Sequence, residues 1–277
     1  MRGLFQRSFR AVAGLFQFIM VVAVALFDYL FRCAFQGGNS LSAARALWLR
    51  RHSRRALSIF KLRMRVEGPI PCRGLLVSNH LSYLDILVIS SITPAVFVAK
   101  RDVKFWPLVG WLAQMAGSLF VDRERRTQVD EVNRTIQRAL DSGLLVVLFP
   151  EGTSSDGSNI LPFKSALLEP AFHGSHPLAI GFIEYAMDNG DTASEICYWG
   201  DHTFFPHLLN LLSKRAFSVV VQFAPFTRPT SDRKRLAQLL HAEIAGLKEN
   251  SIIKNCGMDT LGASGKSSSK ALLQDYE

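Results

Sequence analysis

Acidic side chains are nearly missing from the first quarter of this sequence. Residues 1–70 carry twelve lysines and arginines against only Asp28 and Glu67, while the remainder holds twenty basic and twenty-one acidic residues. The formal net charge of +9 therefore belongs to the N-terminal segment and not to the body of the chain. Cysteine is scarce too. Cys33, Cys72, Cys197 and Cys256 show no CxxC or His–Cys spacing. That supports neither a disulfide framework nor a zinc site, and suits four free thiols in a reducing compartment. There is no GxxxxGK[ST] phosphate loop and no internal repeat. A serine-hydrolase GxSxG is also missing, since Gly152-Thr153-Ser154-Ser155-Asp156 fails at the last glycine.

What is present first is grease. Residues 11–27 form an apolar run broken only by Gln17, followed by Asp28 and then Tyr29-Leu30-Phe31. A helix needs about 20 apolar residues to cross a bilayer. This borderline run, with a carboxylate near its end, predicts an uncleaved anchor, inserted in one leaflet or spanning once. A secretory leader would open into a polar mature start after small residues; here Cys33-Ala34-Phe35 leads into another basic segment. Arginines on both sides fix no orientation. Gly37-Gly38-Asn39-Ser40 reads as a turn, with Ser40 capping a second helix over 41–61. Leu41, Ala44, Leu47, Trp48, Leu57 and Phe60 give that helix an apolar stripe, and Arg45, Arg50, Arg51, Arg54 and Arg55 give it cations. A basic amphipathic helix carrying a Trp suits the headgroup region, although a helix packed on the domain with solvated arginines would share the pattern. Cations interleaved with grease favour anionic lipid over nucleic acid as the partner.

From residue 64 the texture becomes short apolar runs alternating with helical stretches. Residues 74–78, 95–99, 117–121, 144–149, 178–182 and 217–223 read as buried strands; 83–91, 104–115, 125–141, 162–172 and 232–248 read as helices. The alternation predicts an α/β domain: a central mixed, mostly parallel sheet flanked by helices, with an N-terminal two-helix membrane-anchoring element. The expected divisions are 1–63 for that element, 64–248 for the domain, and 249–277 for a disordered tail rich in Gly, Ser and Lys.

Four features fall where a predicted strand ends, the place where open α/β sheets build sites. His80 and Asp85 follow the strand at 74–78; a folded-back turn can join the carboxylate to one imidazole nitrogen and leave the other as a general base. Phe149-Pro150-Glu151-Gly152-Thr153 follows another strand, and Gly152 with the Thr153 hydroxyl and N–H can form an anion-binding nest. Arg123 ends Phe120-Val121-Asp122-Arg123 and suits bidentate phosphate or carboxylate recognition. Lys100 and Lys104 lie in a segment mixing cations with Phe105, Trp106 and Trp111. Each taken alone has an ordinary structural explanation: a His–Asp hydrogen bond, a capped turn, a surface ion pair, an interfacial helix.

In this order and spacing the four become specific. The chain resembles the glycerolipid acyltransferase family, that of the bacterial 1-acylglycerol-3-phosphate O-acyltransferases. The matching residues are Asn79-His80-xxxx-Asp85, then Lys100 to Pro107 with Gly110 and Gly117 to Arg123, then Phe149 to Thr153, and more weakly His176-Pro177-Leu178-Ala179-Ile180. The resemblance implies one-step transfer of a fatty acyl group from acyl-CoA or acyl-carrier protein to the hydroxyl of a lysophospholipid. It casts His80 as base and Asp85 as its orienting partner. Arg123 with Glu151, Gly152 and Thr153 holds the acceptor, and Lys100 and Lys104 lie on the substrate side. Neither metal nor cofactor nor covalent intermediate is implied. It also implies a membrane location, with the catalytic domain on the cytoplasmic face, the inner membrane in a bacterium.

After Gly-Thr the family commonly has Arg, where this chain has Ser154 followed by Ser155 and Asp156. Losing a cation beside a new carboxylate weakens a phosphate site. Lysophosphatidate remains the first expectation because Arg123 and Lys100 favour it; a lyso-ornithine lipid is the second. Two rivals need no lysolipid acylation: a non-catalytic lipid-binding protein of this fold, and a thioesterase in which water replaces the acceptor.

Overall fold

The computed structural model describes residues 2–122, 126–171, 176–214, 216–227, 230 and 232–251. Two helices come first, α1 (Arg2–Arg32) and α2 (Gly38–Ile59). The body follows as β1 (Arg63–Glu67), β2 (Gly74–Ser78), α3 (Leu84–Ile92), β3 (Val96–Lys100), α4 (Val109–Met115), β4 (Leu119–Val121), α5 (Arg126–Asp141), β5 (Leu145–Leu148), β6 (Leu178–Ala186), α6 (Thr192–Glu195), α7 (Phe204–Ser213), β7 (Ser218–Pro225) and α8 (Arg233–Glu249). The sheet order is β1-β7-β6-β2-β5-β3-β4. All neighbouring pairs are parallel except β6 with β7. The fold is thus the mixed, mostly parallel sheet flanked by helices that the alternation predicts.

Period-two burial explains why the strands read as unbroken apolar runs. On β2, Leu76 enters one core layer and Leu75 and Val77 the other; on β5, Leu145 and Val147 oppose Val146 and Leu148 in the same way. A parallel sheet covered on both faces needs grease on both sides of every central strand. The sheet's margin breaks that rule. Arg63-Met64-Arg65-Val66-Glu67 carries three charges and did not read as a strand, yet pairs in register with Ser218–Gln222 of β7. An edge strand gains its place from backbone hydrogen bonds, and its exposed side chains carry no apolar signal.

Three helix expectations change. Of the segment 162–172, the described residues 162–171 form only two 3₁₀ turns, at Ser165–Leu167 and Glu169–Ala171, because Pro170 lacks the N–H that a continuous helix would use. The segment 104–115 divides into a 3₁₀ turn (Arg101–Phe105) and α4, with Pro107 between them. Ser40 does not cap α2; the helix starts at Gly38, and the Ser40 hydroxyl donates to Gln36 Oε1. Helices α6 and α7 lie where the sequence pattern predicts no helix. The expected tail of 249–277 lies, beyond residue 251, outside the described residues.

The N-terminal pair is stitched along its length. The Trp48 indole donates to the Ala25 carbonyl at 2.9 Å, Arg45 donates to the Tyr29 hydroxyl at 3.0 Å, and Asp28 receives Arg51 and His52, each at 3.0 Å, besides Arg32 at 2.7 Å. Trp48 is therefore buried between α1 and α2 rather than facing headgroups. The indole N–H satisfies a carbonyl there, the usual requirement for burying a Trp. At the other end of α1, Arg10 donates to the Ser213 carbonyl on α7 at 3.0 Å.

Candidate active site

Neighbouring parallel strands end together, and that brings distant motifs into contact. β2 and β5 run side by side with Val77 opposite Leu148, so the residues that follow them, Asn79-His80 and Phe149-Pro150-Glu151, emerge at one edge. His80 Nδ1 lies 2.7 Å from Asp85 Oδ2. That oxygen also accepts the N–H of Leu81 at 2.7 Å and of Ser82 at 3.0 Å. The carboxylate closes the tight turn that starts α3. Asp85 is fully buried, and a buried carboxylate survives only when donors surround it. Because Asp85 accepts from Nδ1, the imidazole proton sits there and Nε2 carries the free lone pair. The imidazole lies flat against Phe149, centroids 4.2 Å apart and planes 14° off parallel.

Glu151 is a staple. Its Oε1 accepts the His80 N–H at 2.7 Å and its Oε2 accepts the Leu161 N–H at 2.9 Å. Both oxygens face backbone donors and the side chain is 2% exposed, so the carboxylate expected among the acceptor-holding groups faces the protein. Burial pushes this carboxyl up to about 7, against the opposing pull of its two backbone donors and His80. Gly152 beside it has φ +80°, a left-handed turn that a side chain resists, and Thr153 is exposed.

The same turn is tied to a second loop. The Ser155 N–H donates to the His80 carbonyl at 3.0 Å and the Tyr198 N–H to the Leu81 carbonyl at 2.8 Å. The Ser154 hydroxyl donates to the Tyr198 carbonyl. Ser154 thus spends its hydroxyl on the scaffold. Tyr198 belongs to a ring cluster with Tyr83, Phe204 and His207, and Trp106 lies 6.2 Å from it. His207 Nε2 donates to the Cys197 carbonyl at 3.2 Å, leaving Nδ1 to accept the Tyr83 hydroxyl at 3.0 Å. Burial drops this imidazole to about 4, so it is neutral near pH 7.

Lys100 and Lys104 lie at the same sheet edge. Lys100 ends β3, its ammonium 2.5 Å from Asp102, and Lys104 is exposed in the following 3₁₀ turn. Arg101 pairs with Asp122 at 3.2 Å, just past β4. Gly110 is needed for close approach: a Cβ there would meet the Lys104 carbonyl oxygen at 2.3 Å. Arg123 lies outside the described residues. Two further groups emerge only from the fold. The Asn79 side chain exchanges hydrogen bonds with the backbone N–H and carbonyl of Ile183 at 2.8 and 2.9 Å, and the Tyr185 hydroxyl reaches Asp85. No sequence spacing joins residues about 100 positions apart. Among the described residues no cluster of metal-ligating side chains occurs.

The arrangement offers an oriented imidazole with a free nitrogen beside a glycine turn and flanking cations. Comparison with known proteins points the same way. The family described as Acyltransferase matches residues 63–179. A Rhizobium meliloti protein named lyso-ornithine lipid O-acyltransferase is 43% identical over 64% of this chain, a match that spans 65% of that relative's length. A Brucella abortus protein of the same name is 34% identical over 70% of this chain and 79% of its own. A Neisseria gonorrhoeae 1-acyl-sn-glycerol-3-phosphate acyltransferase is 33% identical over 61% of this chain and 67% of its own. Among solved structures, the Thermotoga maritima 1-acyl-sn-glycerophosphate acyltransferase shares the fold, with TM-score 0.66 and 19% identity over 90% of this chain and 97% of that one.

Proposed function

This chain belongs to the acyltransferase family, and on that premise we propose that it moves a fatty acyl group from acyl-CoA or acyl-carrier protein to the free hydroxyl of a membrane lysolipid. The observation that carries the reading is the His80–Asp85 contact, 2.7 Å long against a fully buried carboxylate, which leaves Nε2 as the base. As the acceptor oxygen attacks the thioester carbonyl carbon, Nε2 takes its proton and the carbonyl π pair moves to oxygen. The tetrahedral oxyanion collapses, the C–S bond breaks, and the imidazolium returns its proton to the departing thiolate. The products are an ester and a free thiol, with no covalent enzyme intermediate. Asp85 holds the tautomer and offsets the imidazolium charge. Glu151 positions the His80 backbone, while the Gly152–Thr153 turn, Lys100, Lys104 and Arg123 are assigned to the substrates.

The acceptor we favour is a lyso-ornithine lipid. Two of the three relatives named above carry that name, one at 43% identity. Where the family motif has a cation, Ser154 bonds to the Tyr198 carbonyl and Asp156 follows. Lysophosphatidate is the second reading, favoured by the cations Lys100 and Arg123 of the sequence. Purified protein with labelled acyl-CoA or acyl-carrier protein, given the two lysolipids side by side, tests both. Transfer to neither, with the protein folded and membrane-bound, sinks the enzyme reading in favour of a lipid-binding role.

The proposed seat is the cytoplasmic face of a membrane, with α1 immersed lengthwise in one leaflet. Gln6–Arg32 is long and apolar enough to span, but α1 is two-sided. Phe9, Val12, Phe16, Met20, Val24, Phe27 and Phe31 form an exposed stripe at helical spacing, while Gly14, Ala25 and Asp28 face α7 and α2. Contacts with α7 and α2 run from Arg10 to Tyr29, about 28 Å of helix at 1.5 Å per residue. A helix held along its length by packed neighbours lies beside them, with its free side to the lipid. Exposed Phe105, Trp111, Trp199 and Phe205 extend the apolar surface around the site.

A further inference from the structure

Tyr185 belongs to none of the sequence motifs, yet it touches the His80–Asp85 pair. β6 is nine residues long and parallel to the five-residue β2, with Gly181 opposite Ser78. It therefore runs on past the end of its neighbour and stands Tyr185 beside the turn that holds Asp85. The phenol donates to Asp85 Oδ1 at 2.8 Å. His80 Nδ1 and the Leu81 and Ser82 amides all bond to Oδ2. Among the described residues Tyr185 is accordingly the one hydrogen-bond donor to Oδ1. Asp85 is 0% and Tyr185 4% exposed, so no solvent reaches the carboxylate to replace a lost donor.

We infer that Tyr185 is a positioning residue for acyl transfer, fixing the rotation of the Asp85 carboxylate and drawing off part of its charge. The inference rests on His80 being the base. A carboxylate with one oxygen unsatisfied leaves more negative charge for the imidazolium, which favours the protonated and unreactive base. A donated O–H on the far oxygen moderates this while holding the near oxygen on Nδ1. Burial and the Asp85 charge hold the phenol well above its ordinary range, so it remains a donor throughout the working pH range. The titratable groups facing the pair are Tyr83 on its own segment, Glu151 after β5, Tyr185 on β6 and Cys197 beyond α6. Burial raises Cys197 to about 12, out of that range. Glu151 does titrate there, but its two backbone donors are untouched by a change at 185.

Tyr185→Phe removes the O–H and keeps the ring, which packs 6.3 Å from Phe217 between centroids. Expected are a kcat lowered about ten-fold, an unchanged KM for the lysolipid, and an acid limb of kcat/KM moved to higher pH by about one unit. In an Asp85→Asn background the same change should shift nothing further. A lowered melting temperature or kcat with an unmoved acid limb, or an additive loss in the Asp85→Asn background, overturns the inference. NMR titration of the His80 imidazole reads the shift without substrate. If the wild type acylates no lysolipid, the proposed function fails, while the NMR comparison still decides whether Tyr185 governs the imidazole. Should Tyr185→Phe fail to fold, a fluorinated tyrosine at 185, a stronger donor of nearly the same shape, must move the midpoint to lower pH; no movement counts against the inference.

Discussion

Glu151 accepts the backbone N–H of His80 at 2.7 Å, across 71 residues of sequence. The two most recognisable motifs of the chain are thereby one object: the carboxylate after β5 fixes the peptide that carries the imidazole after β2. What reads as a substrate-binding block is also the frame of the proposed base.

This frame is pH-sensitive. Burial raises Glu151 from an ordinary 4.5 to about 7. The folded state therefore binds this proton more tightly than the unfolded one. The stability it confers is complete below about 4.5 and is lost as pH rises through about 7, a change of about 3 kcal/mol by linkage. The melting-temperature advantage of wild type over Glu151→Gln should therefore shrink between pH 5 and pH 8. Activity should move the other way, since a protonated carboxyl grips the His80 N–H more weakly. Acid loss in wild type should be steeper than one proton, and Glu151→Gln should reduce it to a one-proton limb.

Phe149 supports the imidazole ring by stacking. Phe149→Leu keeps most of the buried volume and removes the flat face. An aromatic pair contributes about 0.5–1.5 kcal/mol beyond its buried area, so kcat should fall about three- to ten-fold with KM for the acyl thioester little changed. An unchanged kcat in the folded variant means the ring does not steady the base.

Asp28 separates two accounts of α1. If the helix simply dissolves in lipid, Asp28→Leu should improve membrane partitioning and leave the enzyme stable. The ion pair with Arg51 and the hydrogen bond with His52 require the reverse. Removing the carboxylate strands the largely buried His52 and loosens α1 from α2, at a cost of about 1–3 kcal/mol. The expected readout is a lower melting temperature in detergent or nanodiscs.

Trp48 supplies an internal standard for membrane depth. In vesicles, single-tryptophan proteins retaining Trp111 or Trp199 should be quenched by brominated lipid and lose their exposure to aqueous quencher, while one retaining the buried Trp48 should be shielded from aqueous quencher with or without vesicles. Strong aqueous quenching of Trp111 and Trp199 with vesicles present contradicts the proposed seat.

Gly110→Ala should displace the 101–105 turn, because the new Cβ would stand 2.3 Å from the Lys104 carbonyl oxygen. Backbone cannot absorb that contact cheaply. A rise in KM of about ten-fold or more with kcat largely kept places Lys104 at substrate binding; equal losses in both assign the turn to the chemistry.

The sequence by itself determined the α/β class, the central strands and the His80–Asp85 contact, because each rests on local physics. Doubly covered strands demand runs of grease, and a five-residue turn closes on its own carboxylate through neighbouring amides. It also marked Gly152, whose left-handed turn resists a side chain, whereas Gly110 stood out only through the family resemblance. It did not reveal β1, whose edge position needs no apolar code, nor that Trp48 faces Ala25 instead of lipid. Only the tertiary structure decided what surrounds the His80–Asp85 pair. Parallel strands ending in register carry Glu151 to His80, and a long β6 overshooting a short β2 carries Tyr185 to Asp85. Those contacts depend on strand order and length, which no spacing along the chain encodes.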